Sequence, residues 1–449
     1  MKRKIHQWSL LYYIVWLYVY LSHKLFYKRI IVKGLENVPM NSPVILAPNH
    51  QNAFMDALLI ACTVSGQTVF MARADVFQNK WLAKIFRFLK IMPVYRMRDG
   101  FENLDKNNAL FEEAIDVLEN KKKLCLMPEG THGDKHILKP LVKGIFRIAL
   151  SAAEKFPELS HVIVPIGIEY SNYSAFRSQV VIQFGKPIQV NSYSGIYKSN
   201  PPKAINLLRD QLSLEMKKLM IHIDCIDLYE TVDYLRIFYR PFGIRKLGYF
   251  KKNPWHEFLA DKWFTDICNL QYNMNSAQLY DLKEDVSMLH YKLDVLKLKP
   301  ETLLKKLPGF FKIIFYSLLF IILFPFFLTG YLLNIGLVSF SKVFTKNIED
   351  TQFHGSVKFT VTSLLFPFYY GLLWFVISLF IHNFLYQLLF LTGIAITGEF
   401  AYLYYVKLKG FVQVIKMKIY RAEINIIFPL WKSLINKTDN LCNCPPSNI

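Results

Sequence analysis

The chain of 449 residues is 53% hydrophobic and 16% aromatic yet carries a formal net charge of +20, a combination that fits poorly with one soluble domain. Its basic residues are spread out and interleaved with apolar runs, which argues against nucleic acid and for anionic membrane lipids as the partner. Six cysteines (Cys62, Cys125, Cys225, Cys268, Cys442, Cys444) show no zinc-type spacing with histidines, so no metal site is expected and reduced thiols on the cytoplasmic side are.

In residues 1–29, "WSLLYYIVWLYVYL" (8–21) is apolar but only 14 long, flanked by Lys2, Arg3 and Lys4 and by His23 and Lys24. A membrane crossing needs about 20 apolar residues, so the spacing predicts an aromatic-rich helix lying in the membrane interface. No small-residue cleavage site follows it, and no secretory signal is expected. Residues 30–225 alternate short apolar runs with helical patterns. Strands are predicted at Val44–Leu46, Thr68–Met71, Leu124–Met127, Val162–Ile168 and Val180–Phe184, with helices at 78–90, 103–120, 141–155 and 203–222. That alternation predicts an α/β sheet flanked by helices. Residues 226–307 read as helical and basic, with no assignable chemistry.

Residues 308–406 hold the membrane segments. Positions 360–398 contain no charged side chain over 39 residues, and His382-Asn383 near the middle suggests two helices joined by a tight turn, a hairpin over 360–405. The block 313–341 is uncharged for 29 residues but punctuated by Pro325, Gly330, Asn334 and Gly336. Lys305, Lys306 and Lys312 before it, and Lys407, Lys409, Lys416, Lys418 and Arg421 after the second block, place both ends in the cytoplasm. An even number of crossings follows, so 313–341 reads as a re-entrant or tilted interfacial element, with three plain crossings as the alternative. The basic tail, 407–449, includes "FVQVIKMKIYRAEINIIFPLW" (411–431), which is expected along the headgroups or against the spans. A transporter or channel is disfavoured, because His382 is the one ionisable residue within 360–398.

Four stretches carry the chemistry. Asn49-His50 and Asp56 lie where a strand hands over to a helix; a separation of six turns about 240° on a helix, so the pair meets only if His50 sits in the turn made by Pro48-Asn49. In "KIMPVYRMRDG" (90–100), an apolar run ends at Pro93-Val94, and Arg96 and Arg98 follow with alternating spacing and would fork around an anion. In "LCLMPEGTHG" (124–133), Glu129-Gly130-Thr131 forms a turn whose backbone amides and hydroxyl suit phosphate oxygens, with Lys139 and Lys143 in reach. The fourth, "VIVPIGIEY" (162–170), carries no catalytic group and reads as a core strand or a wall of an acyl groove. Singly, each has a bland structural alternative: a strand-end ion pair, a solvated edge, an ordinary turn. His354, in "DTQFHGSVKF", reads as a loop histidine.

Together and in this order, Asn49-His50…Asp56, Pro93-Val94-Tyr95-Arg96, Met127-Pro128-Glu129-Gly130-Thr131 and Val164-Pro165-Ile166 resemble the four blocks of the glycerolipid acyltransferase family, PlsC-like enzymes that acylate glycerol-3-phosphate and its 1-acyl derivative. The likeness extends to "KGLENVP" (33–39) and "FGKPIQV" (184–190) and covers about residues 30–190. Five residues, Gln51 to Met55, separate His50 from Asp56 where most of the family has four, a spacing similar to that of the fungal glycerol-3-phosphate acyltransferase branch. His132 stands where the family often has arginine, which puts the phosphate cradle in doubt.

The resemblance implies a membrane-bound enzyme, with its catalytic domain on the cytoplasmic face, that moves a fatty acyl group to a glycerol-phosphate hydroxyl in phospholipid biosynthesis. His50 would be the general base and Asp56 its partner. Asn49, Arg96, Glu129, Gly130, Thr131 and Lys143 would bind substrate. The donor would be acyl-CoA or acyl carrier protein, with no cofactor. Two alternatives stay open: another lyso-lipid acceptor, and a non-catalytic membrane lipid-binding or scaffold protein.

Overall fold

A computed structural model describes residues 4–94, 104–251, 253–274, 276–305 and 307–443, the side chains of 104–108 excepted. The chain divides into two compact units.

The first unit comprises Met1–His222, Lys252–Phe258 and Asp350–Ser356. In chain order it begins α1 (Leu10–Phe26), β1 (Arg29–Lys33), β2 (Val44–Pro48), α2 (Phe54–Thr63), β3 (Val69–Arg73), α3 (Lys80–Phe88), β4 (Ile91–Val94) and α4 (Leu104–Glu119). It continues with β5 (Lys123–Cys125), α5 (Gly144–Lys155), β6 (Val162–Tyr170), β7 (Gln179–Phe184), β8 (Ile188–Gln189), α6 (Ser194–Ser199) and α7 (Pro201–Leu219). All five predicted strands are present, with bounds shifted by no more than two residues. The short β1, β4 and β8 were not predicted.

The sheet runs β1-β7-β6-β2-β5-β3-β4, with β8 pairing on β6. From β6 to β4 neighbouring strands are parallel, while β7 is antiparallel to β6 and β1 follows β7. A central parallel strand is covered on both faces, which is why Val44, Ile45, Leu46 and Ala47 form an unbroken apolar run that is wholly buried. On one face Ile45, Ala47, Leu124 and Ile163 pack against Phe146, Ile148, Ala149 and Ala152 of α5 and Leu208, Leu212 and Met216 of α7. The helix α1 buries Tyr12, His23 and Phe26, and Trp16 donates to the Ala61 carbonyl of α2. Its other side leaves Leu10, Leu11, Ile14, Leu17, Leu21 and Leu25 exposed, as an interfacial helix would.

The second unit comprises Ile223–Lys251, Leu259–Glu349 and Val357–Ile449. The stretch 226–307 is helical as expected: α8 (Tyr229–Lys246), α9 (Pro254–Met274) and α10 (Ala277–Val295). Asp261 holds both Arg236 and Arg240 in a buried ion network between α8 and α9. Among the described residues, three helices are long and apolar enough to cross a membrane: α11 (Phe310–Thr345), α12 (Gln352–Ser378) and α13 (Phe384–Ile419).

Of the two readings of 313–341, a re-entrant or tilted interfacial element and one of three plain crossings, the length of α11 fits the second, since it is one continuous helix through Pro325, Gly330, Asn334 and Gly336. Those residues serve packing instead. A Cβ at Gly330 would lie 2.0 Å from the Thr397 carbonyl oxygen, and Asn334 donates to the Ile394 carbonyl, so small and polar residues let α13 approach closely. The two helices run antiparallel, Tyr404 bonding the Phe320 carbonyl and Lys418 lying over Phe310. The expected turn at His382-Asn383 is present, and Asn383 caps α13 by accepting from Leu385 and Tyr386. The stretch 411–431 divides at Tyr420 between α13 and α14 (Arg421–Asn443).

Candidate active site

Because β2, β5 and β6 are parallel neighbours, their carboxyl ends share one edge of the sheet, where open α/β sheets bind ligands. His50 follows β2, Glu129 and Gly130 follow β5, and Tyr170 ends β6. The loop carrying His50 is fixed from two sides: its N–H donates to Glu129 Oε1 at 2.7 Å, and its carbonyl accepts from the Gly133 N–H at 3.1 Å.

His50 sits in the turn and Asp56 in the first turn of α2, so the six-residue separation closes as the sequence requires. His50 Nδ1 lies 2.9 Å from Asp56 Oδ2. That oxygen also accepts the N–H groups of Gln51 and Asn52 at 2.9 and 2.8 Å, and Oδ1 accepts the Tyr170 hydroxyl at 2.6 Å. An oxygen already accepting two backbone N–H groups does not donate, so Nδ1 carries the hydrogen, and in the neutral ring Nε2 holds the lone pair. Asp56 is fully buried, whereas 18% of the His50 side chain is exposed and open to a substrate. The turn between them is strained. Ala53, at the N-cap of α2, has φ 44° and ψ −125°, a backbone state that costs a non-glycine residue about 1–3 kcal/mol. The bonds converging on Asp56 offset that cost, and the helix dipole adds to them.

Glu129 is buried, and its Oε2 accepts the Lys139 N–H at 3.0 Å while Oε1 takes the His50 N–H. It orders the turn, and Gly130, at φ 65°, lets that turn close with a Cβ position only 3.0 Å from Val142. Burial pushes the Glu129 carboxyl up to about 7, with the two N–H groups only partly opposing it. The folded protein therefore binds this proton more tightly than the unfolded chain, whose carboxyl titrates near 4.5. The group's contribution to stability is fully present below pH 4.5 and is lost as pH rises through 7. Glu129→Gln is expected to flatten that decline, which amounts to roughly 3 kcal/mol, while lowering stability at acid pH because one amide N–H2 must face a backbone N–H. Unfolding midpoints of both proteins in detergent between pH 4 and 8 check this.

The other predicted substrate residues fall in different places. Asn49 is fully buried; its amide donates to the Ile168 carbonyl at 3.1 Å and accepts the Ile168 N–H at 2.7 Å, tying β2 to β6. Asn49→Ala is expected to lower stability by about 2–4 kcal/mol, since two buried backbone groups lose partners. Thermal unfolding measures that loss, and a change confined to acceptor KM would instead mark Asn49 as a substrate contact. Thr131 is half-buried beside Gly130, and Lys143 is exposed at the N-terminus of α5. Arg96 and Arg98 lie outside the described residues.

Two features escaped the sequence reading. The fourth stretch was expected to carry no catalytic group, yet its last residue, Tyr170, is bonded directly to Asp56. A tyrosine closing a strand of otherwise mostly aliphatic residues was the available signal. The second is Asp350, whose Oδ2 lies 2.8 Å from His132 Nε2. The His132 ring stands edge-on to His50, with centroids 5.6 Å apart.

Residues 29–169 match the acyltransferase family. Glycerol-3-phosphate O-acyltransferase 2 of Saccharomyces cerevisiae is 25% identical over 48% of this chain and 29% of its own length. The 1-acyl-sn-glycerol-3-phosphate acyltransferase of Borreliella burgdorferi is 24% identical over 43% of this chain and 74% of its own. The crystal structure of the 1-acyl-sn-glycerophosphate acyltransferase PlsC from Thermotoga maritima aligns with a TM-score of 0.34 at 19% identity, over 46% of this chain and 78% of that one. The chain spans less than a third of the length of the two yeast glycerol-3-phosphate O-acyltransferases it matches. Residues 29–169 thus match the acyltransferase family model, and the chain is similar over that region to glycerol-3-phosphate and 1-acylglycerol-3-phosphate acyltransferases.

Proposed function

We propose that this protein is a membrane-bound acyltransferase that moves a fatty acyl group from a thioester donor to a hydroxyl of glycerol-3-phosphate or 1-acylglycerol-3-phosphate. The observation that carries the reading is the His50–Asp56 pair, with Nδ1 of a partly exposed imidazole held by a buried carboxylate. Nε2 takes the proton of the acceptor hydroxyl as its oxygen attacks the thioester carbonyl. Asp56 keeps the ring in the required tautomer and stabilises the imidazolium that forms. The tetrahedral intermediate then collapses, the C–S bond breaks, and the leaving thiolate takes the proton back from His50. An ester and a free thiol result, and neither a covalent acyl-enzyme nor a metal or redox cofactor is invoked.

The turn at Gly130-Thr131, with Arg96 and Lys143, would hold the acceptor phosphate. The donor would be acyl-CoA or acyl carrier protein, and the catalytic domain would face the cytoplasm, where such donors are found. Acyl chains partition into lipid, so the apolar helices and the exposed face of α1 keep the site where donor chain and product reside. The five-residue spacing favours glycerol-3-phosphate as the acceptor. The test is transfer by detergent-purified protein offered both acceptors, each with both donors. Transfer to one acceptor fixes the step; a folded protein that transfers to neither returns the weight to a lipid-binding scaffold.

A further inference from the structure

The segment Asp350–Ser356, which leads into and forms the first turn of α12, is far in sequence from residues 29–169, yet it belongs to the first unit and packs on the loops that carry the catalytic pair. Asp350 binds His132 Nε2 at 2.8 Å, and the Phe353 ring meets the same imidazole edge-on at 4.8 Å. Gly355 passes so close that a Cβ would stand 2.5 Å from the Tyr173 carbonyl oxygen and 3.1 Å from Asn52 Oδ1. Ser356 Oγ donates to the Asn52 carbonyl at 3.4 Å, and Asn52 in turn donates its N–H to Asp56. Both Gln352 and Ser356 are buried. The contacts lie on the Asn52 side of the His50–Asp56 loop and on the turn after β5.

We propose that Asp350 is a positioning residue for acyl transfer: it holds the His132 ring at the edge of His50, where the second ring nitrogen donates to the phosphomonoester of the acceptor. This rests on the acyltransferase reading. The chemistry of the turn supports it. With the Nε2–H donated to the Asp350 carboxylate, Nδ1 is the ring nitrogen left to meet an anion, which it does as a donor when it carries a hydrogen. Lys139 Nζ bonds the His132 carbonyl, and Lys143 stands at the start of α5, so basic groups gather around the turn that follows β5. The nearby acids are engaged: Glu129 accepts two backbone N–H groups, Asp56 holds His50, and Asp350 faces Nε2 rather than Nδ1. Burial acts to raise the Asp350 carboxyl, but the His132 bond and the Gln352 N–H outweigh it and hold the carboxyl below its usual range. A hydroxyl on His50 Nε2 belongs to a molecule small enough that its charged end must lie within one residue's reach, and His132 is the neighbouring cation-forming group at 5.6 Å.

The test is steady-state kinetics of the full-length protein in detergent with glycerol-3-phosphate and with 1-acylglycerol-3-phosphate, beside calorimetric binding of each acceptor without donor. Asp350→Asn is expected to raise acceptor KM about tenfold, the loss of one charge-assisted contact, with donor KM and kcat within about threefold of wild type. Adding His132→Arg to Asp350→Asn is expected to restore most of the acceptor affinity, because a guanidinium keeps its charge without a carboxylate behind it. Gly355→Ala, which displaces the segment without touching a charge, is expected to raise acceptor KM as Asp350→Asn does. An unchanged acceptor KM in Asp350→Asn overturns the proposal, as does an equal loss in kcat and both KM values that His132→Arg does not repair. Wild-type protein that binds an acceptor in an Asp350-dependent way but transfers nothing retains the pair and removes the acyltransferase reading. Protein that neither binds nor transfers removes both.

Discussion

His50→Ala is expected to lower acyl transfer by about 10²–10⁴-fold, the contribution of a positioned general base, with little change in unfolding temperature. The asymmetry follows from the environment of the two partners. His50 is partly exposed and contributes one side-chain bond to the fold, while its backbone remains held by Glu129 and Gly133. Truncation at Cβ leaves both backbone bonds in place. Asp56 keeps its bonds from Gln51, Asn52 and Tyr170, so no uncompensated carboxylate is created. The residual rate reflects binding alone, since acceptor and donor remain in contact when the base is gone. Parallel assays of wild type and variant at saturating acceptor, with unfolding midpoints as the folding control, check this. Transfer retained in His50→Ala would remove the general-base assignment and point to another proton acceptor in the site.

How much of this arrangement was readable beforehand depends on whether a contact was local. The strands of the first unit carry apolar runs that only burial explains, so Val44–Leu46 and Val162–Ile168 were legible, and the meeting of His50 with Asp56 followed from the helix period and the Pro48-Asn49 turn. Asn49 was legible as part of a motif but not in its placement, because nothing local says that its amide is taken by Ile168, 119 residues away. Tyr170 escaped for the same reason: the pairing of β6 with β2 brings its hydroxyl to Asp56, and pairing is a property of the sheet. In α11 proline and glycine do not break the helix, since within an apolar environment an alternative to helical hydrogen bonding is costlier than a bend. Asp350 was beyond reach, because it acts across 218 residues on a histidine whose own importance was seen only as a departure from a motif.

Asp56 should behave differently from His50, losing stability and activity together. The carboxylate is fully buried and accepts four donors, from His50, Gln51, Asn52 and Tyr170. Asp56→Ala strands all four, and the expected loss is about 3–5 kcal/mol, enough to endanger folding. Asp56→Asn is therefore the informative change. It keeps the volume, but its N–H2 must face either the two backbone N–H groups or the Tyr170 hydroxyl, at a cost of about 1–3 kcal/mol. The catalytic loss is larger, on the order of 10³–10⁴-fold, because an amide neither fixes the Nδ1–H tautomer nor stabilises the imidazolium. Tyr170→Phe separates the two effects. It removes one donor from Oδ1 and leaves the Oδ2 cluster that holds His50, so it should cost about 1–2 kcal/mol and less than about tenfold in rate. If Tyr170→Phe instead matched Asp56→Asn in rate while remaining well folded, the hydroxyl would be acting on the reaction through more than its bond to the carboxylate. If Asp56→Asn kept full activity, the carboxylate would be a structural cap for the strained turn at Ala53, and His50 would need no partner to choose its tautomer.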